Sequence, residues 1–268
     1  MKLLFIGDIV ARPGRDLVRR GLPGIVERHG IDVVVANGEN AAGGAGITRE
    51  ITKDLLKAGV HVLTSGNHIW DKREVIEFIA DEPRLLRPAN YPAGTPGSGS
   101  CVWRTEDDVA VGVINVMGRV FMAPLDNPFE IVTQQIALVK AAGATVIFVD
   151  FHAEATSEKL AMGWHLDGLV TAVIGTHTHV QTADERVLPG GTAYLTDAGM
   201  TGPHDGVIGM ERAGAIARFT TALPSRFDSA VGDPRLHGVI ITADPASGRA
   251  TAVERLVVTG AEIMEIAS

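Results

Sequence analysis

Leu3-Leu4-Phe5-Ile6-Gly7-Asp8, the stretch from Asp16 to His29, and Ile31-Asp32-Val33-Val34-Val35-Ala36-Asn37-Gly38-Glu39-Asn40 together decide the fold. The outer two segments are short apolar runs of strand length, and each breaks off at glycine next to a carboxylate. Between them Leu17, Val18, Leu22, Ile25 and Val26 recur at helical spacing. Strand, amphipathic helix and strand make a βαβ unit, which needs a parallel sheet with a helix on its face.

The theme continues outward. Thr48 to Ala58 reads as a helix opened by a threonine cap, Val60 to Thr64 as a strand, and Glu74 to Ala80 as a short helix. Leu85 to Ser100 is rich in Pro, Gly and Ser and reads as a loop. Strands are expected at Cys101–Arg104 and Val109–Val116, with Glu106-Asp107-Asp108 turning between them. Helix Pro128–Ala142, strand Thr145–Phe151, helix Ser157–Trp164 and strand Leu169–Ile174 follow. From Thr182 onward, Pro-Gly-Gly, Gly-Asp-Pro and Asp-Pro-Ala-Ser-Gly turns point to hairpins, ending in strands near Val239–Thr242 and Ala252–Val258. With no internal repeat and no low-complexity linker, the reading is one α/β domain over residues 1–268 with a mixed second sheet.

The chain has 268 residues, 24 Lys plus Arg against 32 Asp plus Glu, a formal charge of −8, nine His and one Cys. An acidic balance is the wrong sign for coating a polyphosphate, so stable binding of long nucleic acid is not expected. No apolar run has the length of a membrane span. The first residues read as a buried strand rather than a signal peptide, which points to a cytoplasmic protein. A lone Cys101 forms no intrachain disulfide, and any metal site draws on nitrogen and oxygen ligands.

Polar residues gather where the predicted strands end: Gly7-Asp8, Asn37-Gly38-Glu39-Asn40, Ser65-Gly66-Asn67-His68, Phe151-His152-Ala153-Glu154 and Gly175-Thr176-His177-Thr178-His179. Ligands bind at strand C-termini in open α/β sheets. Each segment alone has an ordinary reading, with Asp8 and Glu39-Asn40 as turn formers and His152 as a core histidine. In His177-Thr178-His179, an extended backbone would aim both imidazoles at one point. Jointly, Asp8, Glu39, Asn40, Asn67, His152, His177 and His179 supply the donors that two divalent ions require, without a thiolate. Such a mixed set suits iron, manganese or zinc better than calcium or magnesium.

In order and wording these motifs resemble the calcineurin-like metallophosphoesterases, whose fold is an αββα sandwich of two mixed sheets flanked by helices. Two departures, Val10 in place of a histidine and Glu39-Asn40 in place of a bridging aspartate, match the YmdB-type 2',3'-cyclic-nucleotide phosphodiesterase branch. The resemblance extends to Gly7–Arg15, Ile114–Met122, Thr196–Pro203 and Arg218-Phe219. It implies that Asp8, Glu39, Asn40 and His179 hold a first metal and that Glu39 bridges. Asn67, His152 and His177 then complete a second site, with Asn40 in the place left by Val10. It further implies a cytoplasmic, homo-oligomeric hydrolase with two divalent or mixed-valence ions, iron foremost, acting on a small nucleotide phosphoester. A metal-bridging hydroxide would attack phosphorus, and His68, beside ligand Asn67, would be the general acid.

Alternatives stand beside this: a phosphomonoesterase, another small-substrate phosphodiesterase, or a regulatory or RNA-turnover partner keeping the metal centre. Asp71 either orients His68 or, as the favoured reading, caps the following helix. Arg119, Phe121 and Met122 clasp substrate or, for the Phe and Met, join the core. The 197–206 segment reads as a loop over the site or as an ordinary turn.

Overall fold

A computed structural model describes residues 1–224 and 227–266; positions 225–226 and 267–268 of the expected 1–268 domain lie outside the described residues. The first half runs β1 (Lys2–Ile6), β2 (Asp8–Ile9), α1 (Ala11–His29), β3 (Val33–Asn37), α2 (Arg49–Lys57), β4 (Val62–Thr64), α3 (Val75–Phe78), β5 (Ser100–Arg104) and β6 (Ala110–Met117). The second half runs α4 (Pro128–Ala141), β7 (Val146–His152), α5 (Thr156–His165), β8 (Ala172–Thr176), β9 (Arg186–Val187), β10 (Ala193–Leu195) and β11 (Met200–Pro203). It closes with α6 (Arg212–Thr221), β12 (Pro234–Ala243), β13 (Ala250–Thr259) and α7 (Gly260–Ile266).

The described strands form two mixed sheets. One has the order β2-β11-β12-β1-β3-β4 with β13 added on β12; the other has the order β5-β6-β7-β8-β10-β9. β1, β3 and β4 are parallel, as are β6, β7 and β8, each group the product of βα crossovers. Alternation along the strands explains the layers. Leu3, Phe5, Val33 and Val35 face Val111, Val113, Phe148 and Ile174 across the sandwich. Phe5 and Phe148 meet with ring centroids 4.8 Å apart. The intervening residues Leu4, Ile6, Val34 and Ala36 face outward against Leu17, Val18, Leu22 and Ile25 of α1. On the second sheet Ile114, Val116, Ile147 and Val149 meet Val132, Ile136 and Val139 of α4. This is the expected αββα sandwich, and it brings the C-terminal ends of β1, β3, β4, β7 and β8 to one rim.

Several boundaries differ from the sequence reading. α1 begins at Ala11, five residues before Asp16, because Pro13 sits in the first turn, where a missing N–H costs nothing. Thr48 caps α2 as read, its Oγ1 accepting from Ile51 N at 3.2 Å. The hairpins expected after Thr182 form at β9–β10 and β12–β13. Helix α6, however, occupies part of that region, and α7 follows β13. The 197–206 segment is not a loop over the site: its central part is β11, paired with β2 and β12 and buried. Among the described residues, no helix is long and apolar enough to cross a membrane.

Candidate metal centre

The strand ends bring the sequence-selected residues together. Asp8 opens β2, Glu39 and Asn40 follow β3, Asn67 and His68 follow β4, His152 ends β7, and His177 and His179 follow β8. Asp8, Glu39 and His152 are at most 1% exposed, a burial that ionisable side chains tolerate only with compensating charge or hydrogen bonds.

Hydrogen bonds fix which nitrogen of each imidazole faces the cluster. Thr176 Oγ1 donates to the carboxylate of Asp150 at 2.6 Å, so it accepts from His152 Nδ1 at 2.9 Å and leaves His152 Nε2 as the nitrogen that faces inward. His179 Nδ1 donates to the Ile208 carbonyl at 3.0 Å, which turns Nε2 toward Asp8 Oδ1, 3.7 Å away. His177 Nε2 is 3.1 Å from Glu154 Oε2, which turns Nδ1 toward the cluster. Around His152 Nε2 stand Asn67 Oδ1, Glu39 Oε1 and His177 Nδ1, each at 3.0 Å. Asp8 Oδ1 and Asn40 Oδ1 are buried without a hydrogen-bond partner. Ligand atoms of Glu39, His152 and His177 lie within 4.8 Å of one another.

Lone pairs converging on one another repel unless positive charge lies among them, so the donor set fits a divalent cation. The electrostatics show the same demand for positive charge, which a proton on His152 can also meet. Burial alone would raise Glu39, but His152 and then His68 hold it down to about 2. Burial opposes charge on His152, yet Glu39 and Asp8 hold its pKa up at about 9. Burial and His152 push His177 down to about 3. Asp8 is raised chiefly by burial, against the pull of His179 and His152.

Asn40 lies against the Val10–Ala11 turn, its carbonyl accepting from Ala11 N at 3.0 Å, and its amide nitrogen donates to Gly44 O at 3.1 Å. Its side-chain oxygen is therefore the atom left for a ligand. His68 is half-exposed: its backbone N–H donates to Glu39 Oε2 at 3.0 Å, and its Nδ1 is 2.8 Å from Asp71 Oδ2. Gly66 makes this approach possible, since a Cβ there would lie 2.2 Å from the His152 ring and 2.5 Å from Glu39 Oε2.

Three local readings need correction. His177 and His179 are not extended: β8 ends at Thr176, and the two histidines have φ of 97° and 64°, in the left-handed region. Two such non-glycine residues are strained, and they turn His177 toward His152 and His179 toward Asp8 rather than both toward one point. Asp71 does not cap a helix, since α3 begins at Val75 behind Glu74, and its carboxylate holds the His68 ring instead. Phe121 is not core: it is 90% exposed on a loop where Arg119 N and Val120 N both donate to Glu158.

Sequence reasoning missed the supports. Asp150, buried in β7, accepts from Asn37 Nδ2 at 3.0 Å and Thr64 Oγ1 at 2.5 Å, tying one sheet to the other beneath the cluster. Its signal was an acid inside an apolar strand. Lys159 and Asp197 form a buried ion pair, and Asp197 also accepts from Thr178 N and Oγ1, between the two strained histidines. Nothing in the sequence distinguishes Lys159 from a solvated helix lysine.

Two sheets between helix layers, with carboxylates, amides and imidazoles converging at one rim, define the class of calcineurin-like metallophosphoesterases. A 5'-nucleotidase precursor from Thermus thermophilus shares the fold at TM-score 0.57 and 14% identity, over 99% of this chain and 57% of that one. Within that class the chain belongs to the YmdB-like protein family, whose model matches residues 4–256. It is 51% identical to the Bacillus subtilis (strain 168) 2',3'-cyclic-nucleotide 2'-phosphodiesterase over 96% of this chain and 97% of that one. A hypothetical protein from Thermus thermophilus superposes with TM-score 0.90 at 42% identity, covering 97% and 99% of the two chains. A phosphatase from Mycoplasma pneumoniae does so with TM-score 0.90 at 31% identity, covering 97% and 93%.

Proposed function

We propose that the protein is a metal-dependent phosphodiesterase that hydrolyses 2',3'-cyclic nucleotides, opening the 2' ester to give a nucleoside 3'-monophosphate. The convergence of ligand atoms of His152, His177, Glu39 and Asn67 beside His68 carries this reading, and the 51% identical relative supports the substrate. Asp8, Glu39, Asn40 and His179 would hold one ion and Asn67, His152 and His177 the second, with Glu39 shared; iron fits foremost, with manganese and zinc as alternatives. Bound there, the ions supply Lewis acidity toward the phosphate oxygens and toward the attacking water.

The chain's own residues do the rest. The Thr176–Asp150 relay holds the His152 tautomer, and Ile208 holds that of His179. Asp71 accepts a hydrogen bond from His68 Nδ1, so Nε2 is the atom that delivers a proton to the departing ribose oxygen. The half-exposed ring is free to meet that oxygen because its neighbour Asn67, not His68, is engaged with His152.

The protein would act as a single domain in the cytoplasm on a small nucleotide, without stable binding of long nucleic acid. Outward apolar side chains of Ile216, Leu223 and Val231, 55%, 65% and 81% exposed, support self-association. A phosphomonoesterase reading rests on the description of the Mycoplasma relative as a phosphatase. Parallel assay of a 2',3'-cyclic nucleotide and a simple monoester tests both: preference for the cyclic diester is expected, and preference for the monoester would reverse the assignment.

A further inference from the structure

Beside His68 lies a cavity of about 350 Å³, within the size range of small-molecule sites. Its walls are Val207, Ile208, Met210, Phe219 and Phe227, with glycines of the 43–44 turn completing the lining. Among the described lining side chains His68 is the one that can form a strong hydrogen bond. The cavity is therefore an apolar slot with an imidazole at one end.

One residue ties the slot to the metal centre. Ile208 is a β-branched residue at φ 45°, an outlying conformation, and its carbonyl accepts from His179 Nδ1 at 3.0 Å. The same strained residue thus lines the slot and fixes a cluster imidazole. On the opposite wall Gly44, at φ 98°, lets Met210 approach: a Cβ there would be 2.8 Å from Met210 Cε. Phe219 is 84% exposed, and Phe227 carries the Arg218 guanidinium 5.3 Å above its ring. An open Phe219 ring and a Phe227 ring with Arg218 on one face stand beside a catalytic imidazole, with no side-chain amide or carboxylate among the described lining residues, an arrangement that suits a flat heteroaromatic ring held by stacking.

We propose that this slot is the nucleobase subsite, with Phe219 and Phe227 as the stacking residues that determine preference for a base-bearing substrate. The proposal rests on the phosphodiesterase reading above. With the phosphate at the cluster and the ribose oxygen at His68, the base extends past His68 into the slot. Because the described lining side chains offer no set of donors and acceptors to match a base edge, selection is by ring area: purines over pyrimidines, with adenine and guanine treated alike.

The test compares adenosine 2',3'-cyclic phosphate with methyl riboside 2',3'-cyclic phosphate, which lacks the base, in the wild-type holoenzyme and in Phe219→Ala, Phe227→Ala and Phe121→Ala. The wild type is expected to favour the nucleotide in kcat/KM by roughly tenfold or more, the scale of one base stacked on an aromatic ring. Phe219→Ala and Phe227→Ala should reduce that ratio to about threefold or less, through KM, and leave the base-free diester unaffected. Phe121→Ala, on a different loop, should leave the ratio intact. An unchanged ratio in both slot variants, or a loss only in Phe121→Ala, overturns the subsite. A shift in oligomeric state with an unchanged ratio overturns it too, in favour of a second copy of the chain covering the slot. Failure of the wild type on both diesters would instead overturn the underlying phosphodiesterase reading.

Discussion

Lys159 Nζ lies 2.7 Å from Asp197 Oδ2, and the two side chains are 1% and 0% exposed. Asp197 also accepts from Gly199 N at 2.8 Å and from Thr178 Oγ1 at 2.6 Å. The pair thus clamps the turn whose strained residues are His177 and His179. Removing one charge strands the other in the interior, at a cost of about 3–5 kcal/mol. Lys159→Met is expected to lose that much stability in urea unfolding. Lys159→Met/Asp197→Leu, which removes both charges, should recover only part of the stability and none of the metal content, because Thr178 and Gly199 lose their acceptor.

Glu39 is the carboxylate on which His152 and the His68 backbone converge. Glu39→Gln keeps the volume and removes the charge. Elemental analysis should find the metal content well below that of wild type, with activity lost in parallel. Normal metal content would remove Glu39 from the bridging role.

His68→Ala leaves the cluster atoms in place. The expected result is unchanged metal content with kcat lower by about 10²- to 10⁴-fold, the range for a general acid. Asp71→Asn should cost less than His68→Ala, since it removes only the acceptor that holds the ring.

Gly66→Ala places a methyl where the His152 ring and Glu39 already stand. Loss of metal with the far-ultraviolet circular dichroism intact is expected, whereas wild-type affinity would show that the 66–68 turn can retreat at no cost.

His237 gives a pH dependence separate from the site. Burial, and then His204 and Arg235, lower its pKa from 6.5 to about 4. As pH falls, the unfolded chain binds the proton first, so stability is full above pH 6.5 and is lost as pH falls toward 4. The full effect is about 3 kcal/mol. His237→Gln should flatten this limb of the stability profile, measured by urea unfolding at a series of pH values.

The sandwich was legible because strand alternation and helical spacing agree with burial on both sheets, and because each strand ends in a polar cluster. Resemblance joined those clusters into one site. What stayed hidden depends on tertiary contact. Helix α6 has few buried residues and shows its apolar side chains to the exterior, so no amphipathic stripe marks it. The left-handed turns at His177 and His179 are imposed by Asp197 and Ile208, distant in sequence. Asp71 read as a cap because a helix follows it, but α3 begins only at Val75, leaving the carboxylate to His68.

The central claim, that a metal cluster at these strand ends opens a 2',3'-cyclic phosphate, meets its most direct test in one titration. Purified protein is stripped by chelator and reloaded with iron or manganese, while turnover of adenosine 2',3'-cyclic phosphate is followed by phosphorus NMR. The account predicts that activity vanishes on stripping, returns with about two ions per chain, and yields the 3'-monophosphate. Full turnover by the stripped protein, or restoration of activity in the reloaded Glu39→Gln variant to the wild-type level, would contradict it.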